Sequence, residues 1–246
     1  LGFDYKWDMG WMNDTLDYCR TAPAYRGMNY HKLTFSMMYY YHDHFLLPLS
    51  HDEVVHGKAT ILQKMNGHYE KKFPQARTLY MYMYAHPGKK LNFMGNEIGQ
   101  LREWDEKRQQ DWNLLDFPAH REFHRFMMDL NHIYLQHLAL SEKDYDPDGF
   151  RWLDCHQEER CIYAFERTGS SERIIAVFNF SNCEQIYQLK VRNSQTVQVL
   201  LSSNWVIYGG DETSCGANLT PKNSILGLTM KPYTALYMVA CSTNKN

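Results

Sequence analysis

The stretch FLLPLSHDEVVHGK, residues 45–58, decides how this chain is read. Its first half is short and apolar: Phe45, Leu46, Leu47 and Leu49 predict a buried β-strand over 45–50. Its second half packs His51, Asp52, Glu53 and His56 into six positions. Acidic and imidazole groups crowded at the end of a strand are costly to fold around, so the pattern points to chemistry. In parallel sheets and barrels, reacting groups gather where the carboxyl ends of strands meet the following loops.

The flanking sequence alternates strand and helix signals. Residues 2–7 (GFDYKW) are aromatic and extended in character, and Met9, Met12, Leu16 and Cys19 have helical spacing. A second helix is expected near 31–41, before the strand. After a polar loop over 51–73, Pro74 opens PQARTLYMYMYAH, apolar on nearly every side and therefore a buried helix, stopped at Pro87-Gly88. KKLNFMGNE (89–97) reads as the next strand and 98–116 as a loop. Asp116 is placed to cap an amphipathic helix from 118 to 138, whose stripe includes Phe123, Phe126, Met127, Leu130 and Ile133. This series predicts about three βα units around a parallel sheet.

The texture changes at DPDG (146–149). Beyond it, short strand-like runs recur at 150–154, 161–167, 173–180, 186–191, 196–201, 205–208, 224–230 and 234–240. Turn residues separate them, which reads as an antiparallel β-sandwich. The expected organisation is an α/β portion over 1–146 and an all-β domain over 147–246.

Composition excludes several classes. A formal net charge of −2 without a basic stripe argues against nucleic acid and anionic membrane as partners. There is no run of about 18 apolar residues, so no transmembrane helix is expected. Cysteines at 19, 155, 161, 183, 215 and 241 form no CxxC pair, which predicts reduced thiols and a cytoplasmic protein. The sequons at Asn13, Asn179 and Asn218 are expected to be chance matches. Leu1 runs straight into GFDYKW, which reads as a piece of a longer protein.

Two strand ends carry carboxylates, Asp52 and Glu97, and Trp7, Trp11, Trp104 and Trp112 lie nearby in sequence. Carboxylates among aromatics at a barrel mouth suit glycoside chemistry. Metal chemistry fits less well. Glu53-x-x-His56 and Asp129-x-x-His132 echo di-iron helix bundles, but Pro48 and its apolar neighbours favour a strand there. His42-Asp43-His44 lacks further ligands at defined spacing. No metal or cofactor is expected.

LSHDEVVHGK (49–58) resembles the signature after the seventh barrel strand of bacterial glycogen branching enzymes, in the alpha-amylase superfamily. GFDYKWDMGWMNDTLDY (2–18), KLTF (32–35), PGKKLNFMGNEIGQ (87–100), REW (102–104) and the run over 146–153 match that family in order and spacing. The resemblance implies the C-terminal part of a (β/α)8 TIM barrel followed by the family's β domain. It also implies an α-glucan substrate and a retaining transfer that makes α-1,6 branches. Of the family's three catalytic carboxylates only the last maps here, onto Asp52, as transition-state stabiliser. The nucleophile aspartate and acid/base glutamate have no counterpart in the chain. His51 is implied as a contact to the same sugar. Glu53 and Glu97 are weaker candidates for substrate contact: support of the loop is favoured for Glu53 and His56, and simple strand termination is slightly favoured for Glu97. Core packing is favoured over sugar stacking for Tyr5, Trp7 and Trp11. The alternatives are a non-catalytic α-glucan-binding module and another hydrolase of the superfamily.

Overall fold

The computed structural model describes residues 2–191, 196–213 and 217–240. Three strands, β1 (Lys6–Trp7), β2 (Phe45–Leu49) and β3 (Lys89–Asn92), form a parallel sheet with β2 in the centre. Helices α1 (Met9–Arg20) and α2 (Tyr69–Ala85) follow the first two strands, and α3 (Pro118–Gln136) follows the third. Beyond Pro147–Gly149 every pairing between strands is antiparallel. One sheet has the order β4 (Phe150–Gln157), β5 (Ile162–Thr168), β6 (Arg173–Asn179), β11 (Thr234–Ala240), β8 (Val197–Ser202), β9 (Asn218–Leu219). The other pairs β7 (Gln185–Lys190) with β10 (Ile225–Met230).

The period-two alternation of side chains divides the larger sheet between two cores. Ile162, Ala164, Ile175, Val177, Leu236 and Met238 face β7 and β10. Tyr163, Phe165, Ala176, Phe178, Ala235 and Tyr237 face the other way, in the same core as the helices and β2. A sheet covered on both faces explains why β5 and β6 read as nearly unbroken apolar runs. It also explains α2, in which every residue from Gln75 to Ala85 is buried. From Gln75 onward that helix is enclosed by α3, β6 and β11 and has no face left for water.

Burying so many polar tips is costly without hydrogen-bond partners, and several find them on the backbone. Arg26, fully buried, donates to the carbonyls of Phe180 (2.7 Å), Cys19 (3.0 Å) and Thr21 (3.1 Å). Arg77 donates to Ser203 O (2.6 Å) and Thr78 to Tyr233 O (2.6 Å). The hydroxyls of Tyr82 and Tyr237 donate to the carbonyls of Leu33 and Met81. Four of these bonds, Arg26–Phe180, Arg77–Ser203, Thr78–Tyr233 and Tyr237–Met81, tie residues before 90 to residues after 175.

Several expected elements differ. Residues 31–41 are not an α-helix: the chain from Pro23 to His42 is a string of short 3₁₀ turns. Buried Tyr30, Leu33 and Ser36 recur every three residues, the period of a 3₁₀ turn rather than of an α-helix. Helix α2 begins at Tyr69, inside the expected loop, and holds Pro74 in its second turn at the loss of one intrahelical donor. Asp116 does not cap α3: Phe117 occupies that position without a side-chain bond, and Pro118 supplies the preset φ of a first helical residue. Val206–Tyr208 is a 3₁₀ turn rather than a strand, and it carries the Tyr208 hydroxyl to Asp129 of α3 (2.8 Å). Cys19, Cys155, Cys161 and Cys183 are free thiols, whereas Cys215 and Cys241 lie outside the described residues.

Candidate active site

The central strand delivers the site. Leu49 pairs with Asn92 of β3, and its carbonyl accepts from Phe93 N (3.0 Å) and from the Asn96 side chain (3.3 Å). The carboxyl end of β2 is thus tied to the turn that follows β3. Ser50, nearly buried, accepts from the backbone N–H of Asp52 (3.3 Å) and starts a single 3₁₀ turn over His51–Val54. That turn lifts two side chains outward: His51 is 48% and Asp52 54% exposed, with Nε2 and Oδ1 3.4 Å apart. Glu53 points inward and is buried.

Aromatic rings back the imidazole. His51 lies 5.8 Å from the Phe93 ring and 6.1 Å from the Trp104 ring, and those two rings meet edge to face at 5.3 Å. Glu97 sits half-buried in the short turn Asn96–Ile98 after β3. Gly95, before that turn, has φ +90°, and a Cβ there would come within 2.8 Å of Gln110 and 3.0 Å of Gln100. Only glycine fits.

The segment after Asp52 is held from three sides. Trp104 N donates to Val54 O (2.9 Å). The Glu103 carboxylate accepts from Gly57 N (2.9 Å) and Ala59 N (2.7 Å), which together hold its pKa below the ordinary carboxylate range. Buried Lys64 donates to the carbonyls of Glu53 and Ala59, and its burial brings the ammonium down to about 8. Arg102 braces the next stretch by pairing with Asp111 (2.9 Å) and donating to Gln109 O (2.8 Å).

The candidates therefore separate. His51 and Asp52 share one exposed turn, and Glu53 lies beneath it. Trp104 joins the site. Trp11 is core, while Tyr5 and Trp7 are 47% and 38% exposed, so the expectation that both pack in the core does not hold for them. They lie on or beside β1, the edge strand, with no further strand over them among the described residues. Glu103 and Lys64, which hold the backbone behind the pair, were not singled out by the sequence. REW stands out in the sequence, but nothing there says that Glu103 bonds a backbone 44 residues away, and Lys64 carries no signal at all. Among the described residues no three His, Cys, Asp or Glu side chains converge as a metal site, and no helix is long and apolar enough to cross a membrane.

Residues 152–240 match the alpha amylase C-terminal all-beta domain. Over 225 residues the chain is 45% identical to a 1,4-alpha-glucan branching enzyme of Geobacillus stearothermophilus, covering 90% of this chain and 34% of the relative. Over 251 residues it is 41% identical to the branching enzyme of Thiobacillus denitrificans, covering 98% of this chain and 34% of that one. The chain is a relative of the bacterial glycogen branching enzymes. It spans about a third of the length of the curated branching enzymes it matches. Solved structures extend the likeness in fold. An Anoxybacillus alpha-amylase superposes with TM-score 0.63 at 16% identity, over 99% of this chain and 48% of that one. AmyP, solved with maltose, gives TM-score 0.71 at 12% identity, over 99% and 51%.

Proposed function

We propose that this chain supplies part of the catalytic unit of a 1,4-α-glucan branching enzyme acting in glycogen synthesis in the cytoplasm. Residues 1–146 are then the last three βα units of a (β/α)8 barrel, and 147–246 its C-terminal β-sandwich domain. Supporting the barrel assignment are three parallel strands in sequence order, each followed by a helix, with both outer strands unpaired on one side among the described residues. The observation that carries the functional reading is the His51–Asp52 pair, exposed at the carboxyl end of the central parallel strand in a chain related to branching enzymes.

The reaction is a retaining double displacement. A nucleophilic carboxylate cleaves an α-1,4 bond to form a covalent glucosyl intermediate, and the 6-hydroxyl of an acceptor glucan displaces it to make an α-1,6 branch. Asp52 accepts hydrogen bonds from hydroxyls of the sugar at the cleavage point, in a geometry that strengthens as the ring flattens toward its oxocarbenium-like transition state. His51 donates to the same sugar, its ring held against Phe93 and Trp104. Glu53 supports the turn from below, and Glu97 borders the site from the turn after β3. The nucleophile and the acid/base stand on barrel strands other than these three.

Expressed with the remaining barrel strands, the chain is expected to lower iodine staining of amylose and to create α-1,6 linkages. In that protein Asp52→Asn should reduce branching about a thousandfold, the scale of losing one transition-state contact, while glucan binding survives. A fully active Asp52→Asn enzyme overturns the assignment. Hydrolysis without new α-1,6 bonds would indicate another superfamily hydrolase.

A further inference from the structure

We propose that Glu103 is a positioning residue for the His51–Asp52 pair, acting through the backbone of residues 57–59 and through Trp104 beside it in the chain. This inference rests on the reading of Asp52 and His51 as sugar contacts.

The segment after the 3₁₀ turn needs outside help. His56 (φ +57°), Gly57 (φ +79°) and Ala59 (φ +65°) all lie in the left-handed region, and two of them carry a Cβ that disfavours it. Such a backbone turns its N–H groups out of any regular ladder, so its donors need acceptors from elsewhere. Glu103 provides one oxygen to each of two such donors, at 2.9 and 2.7 Å. A charged acceptor facing two N–H groups is the strong form of this bond. Lys64 completes the grip with the opposite chemistry, an ammonium on the carbonyls of Glu53 and Ala59. Ala59 is therefore held at both its N–H and its C=O.

Glu103 and Trp104 are adjacent, so one short piece of chain holds both ends of the loop. Trp104 N bonds Val54 O, and its ring stands against His51. Lys58 N closes the interval by donating to Val55 O (3.2 Å). If Glu103 lets go, residues 55–59 lose the contacts that keep them in a disfavoured backbone region. The His51–Asp52 turn then loses its fixed C-terminal anchor.

The test uses this chain, isotopically labelled, as wild type, Glu103→Ala and Glu103→Gln. Glutamine keeps the size of the side chain but offers one acceptor oxygen and turns an N–H donor toward the second amide. Both variants should raise amide exchange at Gly57 and Ala59 about tenfold, the effect expected when a charge-assisted bond at a local opening is lost. Both should also shift the His51 ring resonances, and the thermal midpoint should fall by only about 3–6 °C, the shift that a tenfold loss of protection implies for a chain of this size. Titration with maltoheptaose, carried out on the protein expressed with the remaining barrel strands, should show binding at His51 and Asp52 weakened about tenfold in Glu103→Ala, in the range of a lost preorganising contact. Wild-type exchange at both amides and an unmoved His51 ring in Glu103→Ala would overturn the proposal, as would a Glu103→Gln chain identical to wild type. The first two readouts need no sugar. Failure of maltoheptaose to bind the wild type would overturn the glucan assignment instead, and with it the role of Glu103 toward a sugar site.

Discussion

The two ends of the parallel sheet both gather charge, and they use it in opposite ways. At the amino end, beside Lys89 at the start of β3, Arg167 and Asp144 meet at 2.8 Å with both side chains essentially buried. Arg167 also donates to Ala85 O (2.8 Å) and Gly149 O (3.2 Å), so its guanidinium joins α2, the turn before β4 and β5. At the carboxyl end, His51 and Asp52 stand in solvent, and the two charges that hold the segment behind them, Glu103 and Lys64, bond backbone, while the Arg102–Asp111 pair is only partly buried. Charge that bonds charge in the dark holds elements together. Charge that bonds backbone beneath an exposed pair holds the shape of a single loop.

Mutation can break this contrast. The largest effect is expected at the buried end: Arg167→Ala leaves Asp144 without its main partner and two carbonyls without a donor, and should cost about 3–5 kcal/mol in urea denaturation. A loss below about 1 kcal/mol, the size of a surface change, would mean that the two ends do not differ in kind.

Asp8 lies between these extremes and sharpens the comparison. It is 1% exposed, and its Oδ1 accepts from Trp11 N (2.8 Å) and Tyr39 OH (2.7 Å), while Oδ2 has no partner. Burial raises its pKa. A raised carboxylate contributes stability below its unfolded pKa that is lost as pH rises through the folded one. Asp8→Asn, which retains the capping oxygen, should therefore be more stable than wild type at pH 7 by about 1 kcal/mol. Thermal melts at stepped pH should show the gain shrinking to nothing below the carboxylate range.

The smallest expected effect is at the exposed end. Asp52→Asn should leave the thermal stability of this chain within about 0.5 kcal/mol of wild type, as for other surface substitutions. If calorimetry shows a larger loss, the pair at 51–52 is part of the scaffold and its exposure has been misread as availability.

The strands over 45–49 and 173–179 were legible as short unbroken apolar runs, because both of their faces are covered, and the helix after Pro118 was legible from its apolar period. The candidate site was half legible. His51 and Asp52 stand in a dense motif, whereas Glu103 and Lys64 act through backbone atoms, which carry no side-chain code for their partner. The turns within 31–41 were misjudged because apolar and aromatic spacing of three and four residues serves both kinds of helix. Asp116 was misjudged because a capping residue type one position early is indistinguishable in sequence from one in place.

The sequence by itself determined the alternation of strand and helix, the change to antiparallel strands near Asp146 and the crowding of acid and imidazole after Leu49. Each is a local statement about which faces of a short segment are apolar. Only the tertiary structure decided that α2 lies between α3 and the antiparallel sheet with no face to solvent, and that the sheet divides two cores. It alone decided that Glu53 turns inward while Asp52 turns out. These depend on contacts between residues far apart in the chain, and the energy that selects among them belongs to the packed whole rather than to any one segment.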